Sequence, residues 1–372
     1  MLLTGLHYFS ARPLWGDEEM VLKNINMPGY KAIFGRYVEP QLFPRIQLVI
    51  VKFISSFFNQ NVWALRFISF VMMLSAFWVW VAVFKRLKHP GMILLSVLSF
   101  VASFRFVYYA SELKPYAVDV LACGTICYFL LYLGEVLINK AVVFSKQKAL
   151  LFTCLIPLWL FVSYGAFFVF WLVPVQYFLM GMQDRKWFKW FSLSLLASGA
   201  CFLFFYFIDL RFSLNIQATY DYWDSYFICS TSLQCFGATL FDGIRKLVTF
   251  WFGDTKLFIR LGTPLIPVFI LGLFYSGIKD WKDKKGNLGS IFLIALVIFV
   301  ELFFFGIFKK YPFTGERITL FFAPLVFAVL VKTLFDMRKV KYLGSILISY
   351  YVLFCLASLI NSALVFSKKF IF

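Results

Sequence analysis

Repeated apolar runs, each of about twenty residues and separated by short basic loops, constrain this 372-residue chain more than any other feature. A run of that length is what an α-helix needs to cross the hydrocarbon core of a bilayer. The chain is 62% hydrophobic and only 15% charged, whereas soluble domains carry about 25% charged residues. A water-soluble fold could not bury this much apolar surface, so we expect a polytopic membrane protein.

The runs predict an all-α bundle with about ten membrane spans. These spans lie at residues 62–84, 90–110, 115–138, 149–163, 165–182, 187–209, 263–279, 288–307, 318–335 and 342–364. The chain shows no internal repeat and no separate soluble domain. We therefore expect one transmembrane domain over residues 1–372, with outer loops at 1–61 and 210–262.

A shorter apolar stretch at 42–58 carries three polar side chains, Arg45, Gln47 and Lys52. Polar residues set among apolar ones at helical spacing suit a helix that lies in the membrane interface better than one that crosses it. The first outer loop is therefore expected to contain interfacial helices.

Basic residues cluster in five loops, and with ten spans all five loops fall on one side of the membrane. The clusters are Lys85, Arg86 and Lys88; Lys140, Lys146 and Lys148; Arg185, Lys186 and Lys189; Lys279, Lys282, Lys284 and Lys285; and Arg338, Lys339 and Lys341. The positive-inside rule makes this side cytoplasmic. The net charge of +18 is thus explained by orientation, and we expect a lipid bilayer but no nucleic acid as a partner.

Three polar clusters fall on the opposite, outer side. They are Trp15-Gly16-Asp17-Glu18-Glu19, Tyr109-Ala110-Ser111-Glu112-Leu113-Lys114-Pro115-Tyr116 and Tyr311-Pro312-Phe313-Thr314-Gly315-Glu316-Arg317. Carboxylates can act as bases, an arginine fork suits phosphate, and an ionisable pair at the mouth of a helix bundle marks a ligand path. Each cluster alone is better explained as a solvated loop, a surface ion pair or a snorkelling arginine. Their shared side of the membrane is what indicates a site.

The cysteines and histidines indicate no metal site. Seven cysteines show no metal-ligand spacing, and the two histidines, His7 and His89, fall on opposite faces. Cys229 and Cys235 share one outer loop and could pair there if the compartment is oxidising, but spacing alone leaves this open.

Four segments, taken in order, resemble motifs of the GT-C glycosyltransferases of the protein-mannosyltransferase and aminoarabinose-transferase type (glycosyltransferase family 39-like). They are Arg12-Pro13-Leu14-Trp15-Gly16-Asp17-Glu18, Gln41-Leu42-Phe43-Pro44, Tyr108 to Tyr116, and Tyr311 to Arg317, with Trp63-Ala64-Leu65-Arg66-Phe67 opening a span. Glu19 departs from the family, which usually has a small residue there. Members also have a helix before the first motif, and we expect one to precede residue 1.

The resemblance implies that a sugar is transferred from a polyprenyl phosphate, or dolichyl phosphate, to an acceptor outside the cytoplasm. The acceptor is a glycan, a lipid or a protein, and a single displacement would invert the anomeric carbon. Asp17 would be the base, Glu18 would orient the site, and Glu112 would contact substrate or share the base role. The expected location is the bacterial inner membrane, with the site facing the periplasm.

The same resemblance implies substrate-binding roles for four further residues. Lys114 and Arg317 would stabilise charge on the departing phosphate. Tyr109 and Tyr116 would line the pocket. A divalent cation is a further possibility, although carboxylates alone do not define a metal site.

Two other hypotheses remain open at this stage. A transporter or flippase would bind the same lipid-linked sugar without catalysis, and it would be expected to show related halves and helices broken at mid-membrane. A catalytically inactive member of the family is the third hypothesis.

Overall fold

The computed structural model describes residues 1–138, 144–213, 221–253, 255–283, 288–314, 316–339 and 342–368, and the regular structure in these ranges is entirely helical. The α-helices of six residues or more are α1 (Leu2–Phe9), α2 (Gly16–Ile25), α3 (Arg45–Ser56), α4 (Val62–Phe84), α5 (Pro90–Ala102), α6 (Phe104–Tyr109), α7 (Tyr116–Ile138), α8 (Lys146–Leu155), α9 (Leu172–Gln183), α10 (Phe188–Phe205), α11 (Leu233–Thr249), α12 (Lys256–Gly262), α13 (Leu265–Asp283), α14 (Ile291–Ile307), α15 (Ala323–Asp336) and α16 (Leu343–Lys368). The predicted all-α class is confirmed. Of the residues singled out in the sequence, Lys140, Lys284, Lys285, Gly315 and Lys341 lie outside the described ranges.

Six helical segments in the described part of the chain are long and apolar enough to cross a membrane. They are Val62–Leu87, Tyr116–Ile138, Gly165–Gln183, Arg185–Leu210, Arg317–Asp336 and Leu343–Phe366. Helices α12 and α13, which meet at an angle of 48°, make a seventh if they are counted as one span. The predicted count of about ten spans is therefore wrong.

Three of the ten predicted spans are broken or short. The span at 90–110 divides at Ser103, which has an extended backbone and begins a new helix. In the span at 149–163, α8 ends at Leu155 and continues only as a 3₁₀ segment that contains Pro157, whose nitrogen cannot donate to the helix. In the span at 288–307, α14 has 17 residues, about 25 Å at about 1.5 Å per residue, against a hydrocarbon core of about 30 Å.

The centre of the bundle is a pair of helices that run in the same direction, α4 and α7, with Ser69 near Lys114 at one end and Arg86 near Glu135 at the other. Trp80 of α4 is buried and its indole donates to the carbonyl of Val120 at 3.0 Å. Gly124, one turn further along α7, leaves room for this ring, because a Cβ there would lie 2.8 Å from the indole nitrogen. Of the six segments named above, Arg317–Asp336 is the most buried: 83% of its most apolar stretch of 18 residues lies inside the protein. Arg317 therefore begins a buried segment, a 3₁₀ turn at Arg317–Phe322 that leads into α15.

Contacts at one end of the bundle join all five basic segments. These contacts are Arg86 with Glu135, Tyr132 with Ser145, Phe144 with Trp187, Gly134 with Gly289, and His89 with Phe335. The opposite ends of α4 and α7 lie beside the first outer loop and the turn at 111–115. The basic segments and the three polar clusters thus lie at opposite ends of the bundle, as the sequence predicted.

The loop that carries Cys229 and Cys235 lies at the end of the bundle that holds the polar clusters. The two cysteines are joined as a disulfide, with their Cα atoms 5.6 Å apart. The backbone nitrogen of Ile228, next to Cys229, donates to the carbonyl of Gly306 at 3.3 Å. The pairing that spacing left open is therefore present in the structure.

Helix α3 forms in the stretch where an interfacial helix was expected, but its polar side chains face the protein. Arg45 and Gln47 are each only 2% exposed, whereas Phe53 is 53% exposed. The guanidinium of Arg45 stacks on Tyr37 at 4.3 Å and donates to the carbonyl of Ile33 at 2.8 Å. The polar residues of α3 therefore attach the first loop to the bundle, and its aromatic face is the exposed one.

Candidate active site

The first polar cluster forms the start of α2. Trp15 is the N-cap residue, and its backbone nitrogen donates to the Glu18 carboxylate at 3.4 Å. Asp17 and Glu18 lie in the first turn, where the helix dipole favours negative charge. Neighbouring residues on a helix point about 100° apart, so the two carboxylates face different environments. The side chain of Glu18 is 0% exposed, and that of Asp17 is 21% exposed.

Glu18 forms a buried, two-pronged ion pair with Arg66 of α4. The Arg66 Nε donates to Glu18 Oε1 at 2.8 Å, and its Nη2 donates to Oε2 at 2.6 Å. The backbone nitrogen of Leu113 also donates to Oε1, at 2.7 Å. Donors of the protein therefore occupy both carboxylate oxygens. Glu18 therefore connects α2, α4 and the second polar cluster.

Arg66 in turn holds the loop that leads into α2. Its guanidinium donates to the carbonyl of Arg12 at 2.8 Å and to the carbonyl of Pro13 at 3.2 Å. The Arg66 side chain is 1% exposed. The sequence pattern placed Arg66 at the start of a span but predicted no role for its side chain. The signal was present, since a charged residue inside an apolar span needs a partner.

Asp17 lies between two cations from distant parts of the chain. Its Oδ2 accepts from the Arg317 Nη1 at 2.5 Å and lies 3.4 Å from the Lys114 Nζ. The Lys114 ammonium also donates to the Gln41 Oε1 at 2.7 Å. All four segments that carried the family resemblance therefore meet here. We call Asp17, Lys114 and Arg317 the ion cluster.

The three members of the ion cluster differ in their access to solvent. Lys114 has a side chain only 3% exposed, whereas those of Arg317 and Asp17 are 16% and 21% exposed. Burial lowers the pKa of Lys114 to about 8, against the opposing effect of Asp17, which favours the charged ammonium. Lys114 is thus a cation whose charge changes in a physiologically relevant pH range.

Glu112 lies beside the ion cluster but is buried. Its Oε1 accepts from the Trp15 indole at 3.0 Å and from Arg12 at 3.3 Å. Burial, and then the nearby charge of Glu18, raise the pKa of Glu112, while Arg12 opposes them. The Arg12 guanidinium also lies over the Tyr108 ring, 5.0 Å from its centre. The hydrogen bonds of Glu112 Oε1 therefore go to Trp15 and Arg12 and not to the ion cluster.

Aromatic rings surround the guanidinium of Arg317. Its carbon lies 5.9 Å from the centres of the Trp15 and Trp223 rings and 6.0 Å from the Tyr222 ring. Tyr109 and Tyr116 pack edge to face, 5.1 Å apart, and both interact electrostatically with Arg317. Tyr222 and Trp223 belong to the long outer loop. No sequence pattern pointed to them, because only folding brings that loop over Arg317.

The structure brings the predicted site residues together at one end of the bundle. Asp17 contacts both Lys114 and Arg317, and Glu18 and Glu112 are buried nearby. Tyr109 and Tyr116 interact with Arg317. The roles of all these residues stay predictions. Among the residues that the structure describes, no three His, Cys, Asp or Glu side chains come together to hold a metal ion. The carboxylates instead pair with cations of the protein, and dependence on a divalent cation stays a prediction.

The Glu18–Arg66 pair yields a prediction on stability. Arg66→Met and Glu18→Gln should each lower the free energy of unfolding by about 3–5 kcal/mol, because each leaves a buried group without its partner. The combination Arg66→Met with Glu18→Gln should lose less than the sum of the two. Denaturant or thermal unfolding of the purified protein in detergent measures all three.

A matched control is the pair of Lys23 and Glu39 in the same loop, 2.7 Å apart, whose side chains are 62% and 22% exposed. Glu39→Gln should change stability by less than about 1 kcal/mol. Strictly additive losses for Glu18 and Arg66 would contradict the view that the two side chains act as one unit.

Comparison with known proteins identifies the fold. No family model matches the sequence, and no curated protein matches it. Two solved structures of ArnT from Cupriavidus metallidurans are similar to it, one bound to undecaprenyl phosphate and one in the apo state. The first has a TM-score of 0.50 at 12% identity and aligns over 98% of this chain and 70% of its own. The second has a TM-score of 0.50 at 10% identity, over 90% of this chain and 61% of its own.

The alignment extends over nearly the whole chain, so it describes the complete bundle rather than one helical hairpin. It agrees with the fold that the motif resemblance implied. The chain therefore shares the fold of these ArnT structures.

Proposed function

We propose that this protein is a membrane glycosyltransferase that moves a sugar from a polyprenyl phosphate to an acceptor. The observation that carries the proposal is the ion cluster, in which a partly exposed carboxylate lies between a lysine and an arginine. Two cations suit a phosphate, and a carboxylate beside them suits a base that acts while the phosphate departs. The similarity in fold to an ArnT structure bound to undecaprenyl phosphate supports a polyprenyl phosphate as the donor.

The chemistry is a single displacement at the anomeric carbon. The acceptor oxygen forms the new bond to that carbon, and the bond from the carbon to the phosphate oxygen breaks. Asp17 takes the proton of the acceptor hydroxyl, and the polyprenyl phosphate leaves with the bonding electron pair. Lys114 and Arg317 stabilise the negative charge that develops on the phosphate. Attack opposite to the leaving group inverts the anomeric configuration.

The other predicted residues act around this centre. Glu18 holds the start of α2, and with it Asp17, through Arg66. Glu112 orients Trp15 and Arg12, whose ring and loop border the cluster. Tyr109 and Tyr116 line the side of the pocket next to Arg317. Asp17 pairs with both cations. The phosphate of the donor takes the place of Asp17 beside Lys114 and Arg317, and the Asp17 carboxylate is then available to the acceptor.

The site is proposed to face away from the cytoplasm. The basic segments lie at the opposite end of the bundle, and the positive-inside rule assigns that end to the cytoplasm. The disulfide between Cys229 and Cys235 lies at the end that carries the site, and disulfides persist in oxidising compartments. These two independent features support a periplasmic site in a bacterial inner membrane, with a glycan, lipid or protein as the acceptor.

The orientation is tested by labelling one engineered thiol from each side. Lys282→Cys lies at the basic end, where Lys282 is exposed, and Leu233→Cys lies in the outer loop, where Leu233 is 87% exposed. A membrane-impermeant thiol reagent applied to intact inner-membrane spheroplasts should label position 233 and reach position 282 only after the membrane is opened. Labelling of position 282 in intact spheroplasts would reverse the proposed orientation.

The base role of Asp17 is tested by separating catalysis from binding. Asp17→Asn should lower the transfer rate by about 10²–10⁴-fold, because the acceptor proton loses its base. Binding of undecaprenyl phosphate should not weaken in this variant. Arg317→Ala should instead weaken that binding, because it removes a phosphate contact. Glu39→Gln, which changes a partly exposed carboxylate in the same loop, is the control and should retain both.

The outcome also separates an enzyme from a flippase. Transfer is measured as label moved from polyprenyl-phosphate-linked sugars into membranes of cells that lack this chain, and binding by titration of the purified protein. Undiminished transfer in Asp17→Asn would remove Asp17 from the base role. Binding of undecaprenyl phosphate with no transfer by the unmodified protein would favour the flippase.

Lys114 makes donor binding depend on pH. Its pKa of about 8 means that the ammonium is charged below that pH and loses its charge above it. The second ionisation of a phosphate monoester is complete well below pH 8, since its pKa is about 6. The affinity for undecaprenyl phosphate should therefore fall by up to about tenfold per pH unit above pH 8. Lys114→Arg, which stays charged, should bind with little change from pH 7 to 9.5. A flat profile for the unmodified protein would exclude Lys114 as the phosphate contact.

A further inference from the structure

A cavity lies in the outer loop at 210–262, near the ion cluster. It has a volume of about 180 Å³ and lies between α11, the segment 225–227 and the segment 313–314. Ligand sites for drug-sized molecules measure about 300–1,000 Å³, so this cavity suits a single small group. Its polar lining comes from the side chains of Tyr226, Asp242 and Lys246 and from the hydroxyl groups of Ser225, Thr239 and Thr314.

Covalent and close packing contacts hold the walls of this cavity in place. The disulfide joins Cys229, just after the wall at 225–227, to Cys235 in the first turn of α11. On the other side, α11 approaches the segment 313–314 so closely that a Cβ at Gly243 would lie 2.5 Å from the Phe313 carbonyl oxygen. The cavity is therefore a built feature and not a gap between loosely packed loops.

One layer of aromatic rings separates the cavity from the ion cluster. Tyr226 lines the cavity and packs on Trp223 with ring centres 5.0 Å apart. Trp223 is one of the rings around the Arg317 guanidinium. Thr314, which also lines the cavity, precedes Arg317 by three residues. The cavity and the ion cluster therefore have Trp223 as a common neighbour, through Tyr226 on one side and Arg317 on the other.

The polar lining offers both kinds of hydrogen-bonding group. Asp242 lies 3.2 Å from the Lys246 ammonium and also pairs with Arg245, so two cations hold its carboxylate in place. The Lys246 ammonium lies 4.9 Å from the centre of the Tyr226 ring. A carboxylate accepts, an ammonium donates and a phenol does both. Sugar hydroxyl groups also donate and accept, and sugar rings present C–H faces that pack on aromatic side chains.

We propose that this cavity is an acceptor subsite that binds one sugar residue of a glycan acceptor. The proposal rests on the proposed transferase function and narrows it, because the acceptor hydroxyl would belong to a carbohydrate. The sugar in the cavity contacts Asp242, Lys246 and Tyr226. The neighbouring part of the acceptor passes Trp223 and presents its hydroxyl to Asp17.

The test follows protection of an engineered thiol in the full-length protein. Ala238 lines the cavity and is exposed, so Ala238→Cys places a thiol at its rim. Methyl glucoside, methyl mannoside, methyl galactoside and methyl N-acetylglucosaminide are titrated while a small maleimide reacts, and labelling is read on the peptide that contains residue 238. At least one glycoside should slow labelling threefold or more at saturation.

The matched control is Gly237→Cys, one residue earlier on α11. Gly237 has open space around it and does not line the cavity. Its labelling should not respond to the glycosides. In the Ala238→Cys protein, a further Asp242→Asn substitution should weaken protection at least fivefold, and Asp242→Glu should restore part of it.

Two measurements on the same protein separate the two proposals. If none of the glycosides protects position 238, or all protect positions 237 and 238 equally, the acceptor subsite is overturned. Binding of undecaprenyl phosphate is measured in parallel. Protection at position 238 without any binding of undecaprenyl phosphate would leave a sugar site in the cavity but would remove the proposed transferase function.

Discussion

The buried ion pair between Glu18 and Arg66 is the interaction on which the rest of the site depends. Two charges removed from water are stable only when each is fully hydrogen-bonded. Glu18 meets this condition through Arg66 and the Leu113 nitrogen, and Arg66 meets it through Glu18 and two loop carbonyls. These bonds attach the first loop to α4 and to the turn after α6. The start of α2 is thereby fixed, and with it the direction in which Asp17 points.

Burial divides the three candidate carboxylates into different tasks. Donors of the protein bind both carboxylate oxygens of Glu18 and the Oε1 of Glu112, so each side chain contributes to the shape of the site. Asp17 alone of the three reaches solvent, and its partners are cations that a phosphate can also bind. The same logic applies to Lys114, whose enclosure lowers its pKa into a range where a change in pH alters its charge. Degree of burial, rather than residue type, therefore distinguishes Asp17 from the other two carboxylates.

Hydropathy predicted the apolar segments well but not their continuity. The span expected at 90–110 is interrupted at Ser103, whose hydroxyl donates to the Trp251 carbonyl at 2.9 Å and so compensates for the break. A window average cannot register one residue whose alternative hydrogen bond comes from a loop far away in sequence. The division of the chain into a basic end and a polar end was nevertheless predicted correctly. That division depends on where charges cluster, and a broken helix can still carry the chain from one end to the other.

Composition and motifs were enough to predict a membrane protein with a helical bundle. They were also enough to predict that five residues share one site: Asp17, Glu18, Glu112, Lys114 and Arg317. Composition and the order of motifs can be read along the chain without knowledge of its tertiary contacts. Only the tertiary structure decided which carboxylate is exposed, that Arg66 is the partner of Glu18, and that Tyr222 and Trp223 lie over Arg317. Those facts depend on contacts between segments up to about three hundred residues apart, such as Asp17 with Arg317. Packing of the whole bundle, and no short stretch of sequence, selects such contacts.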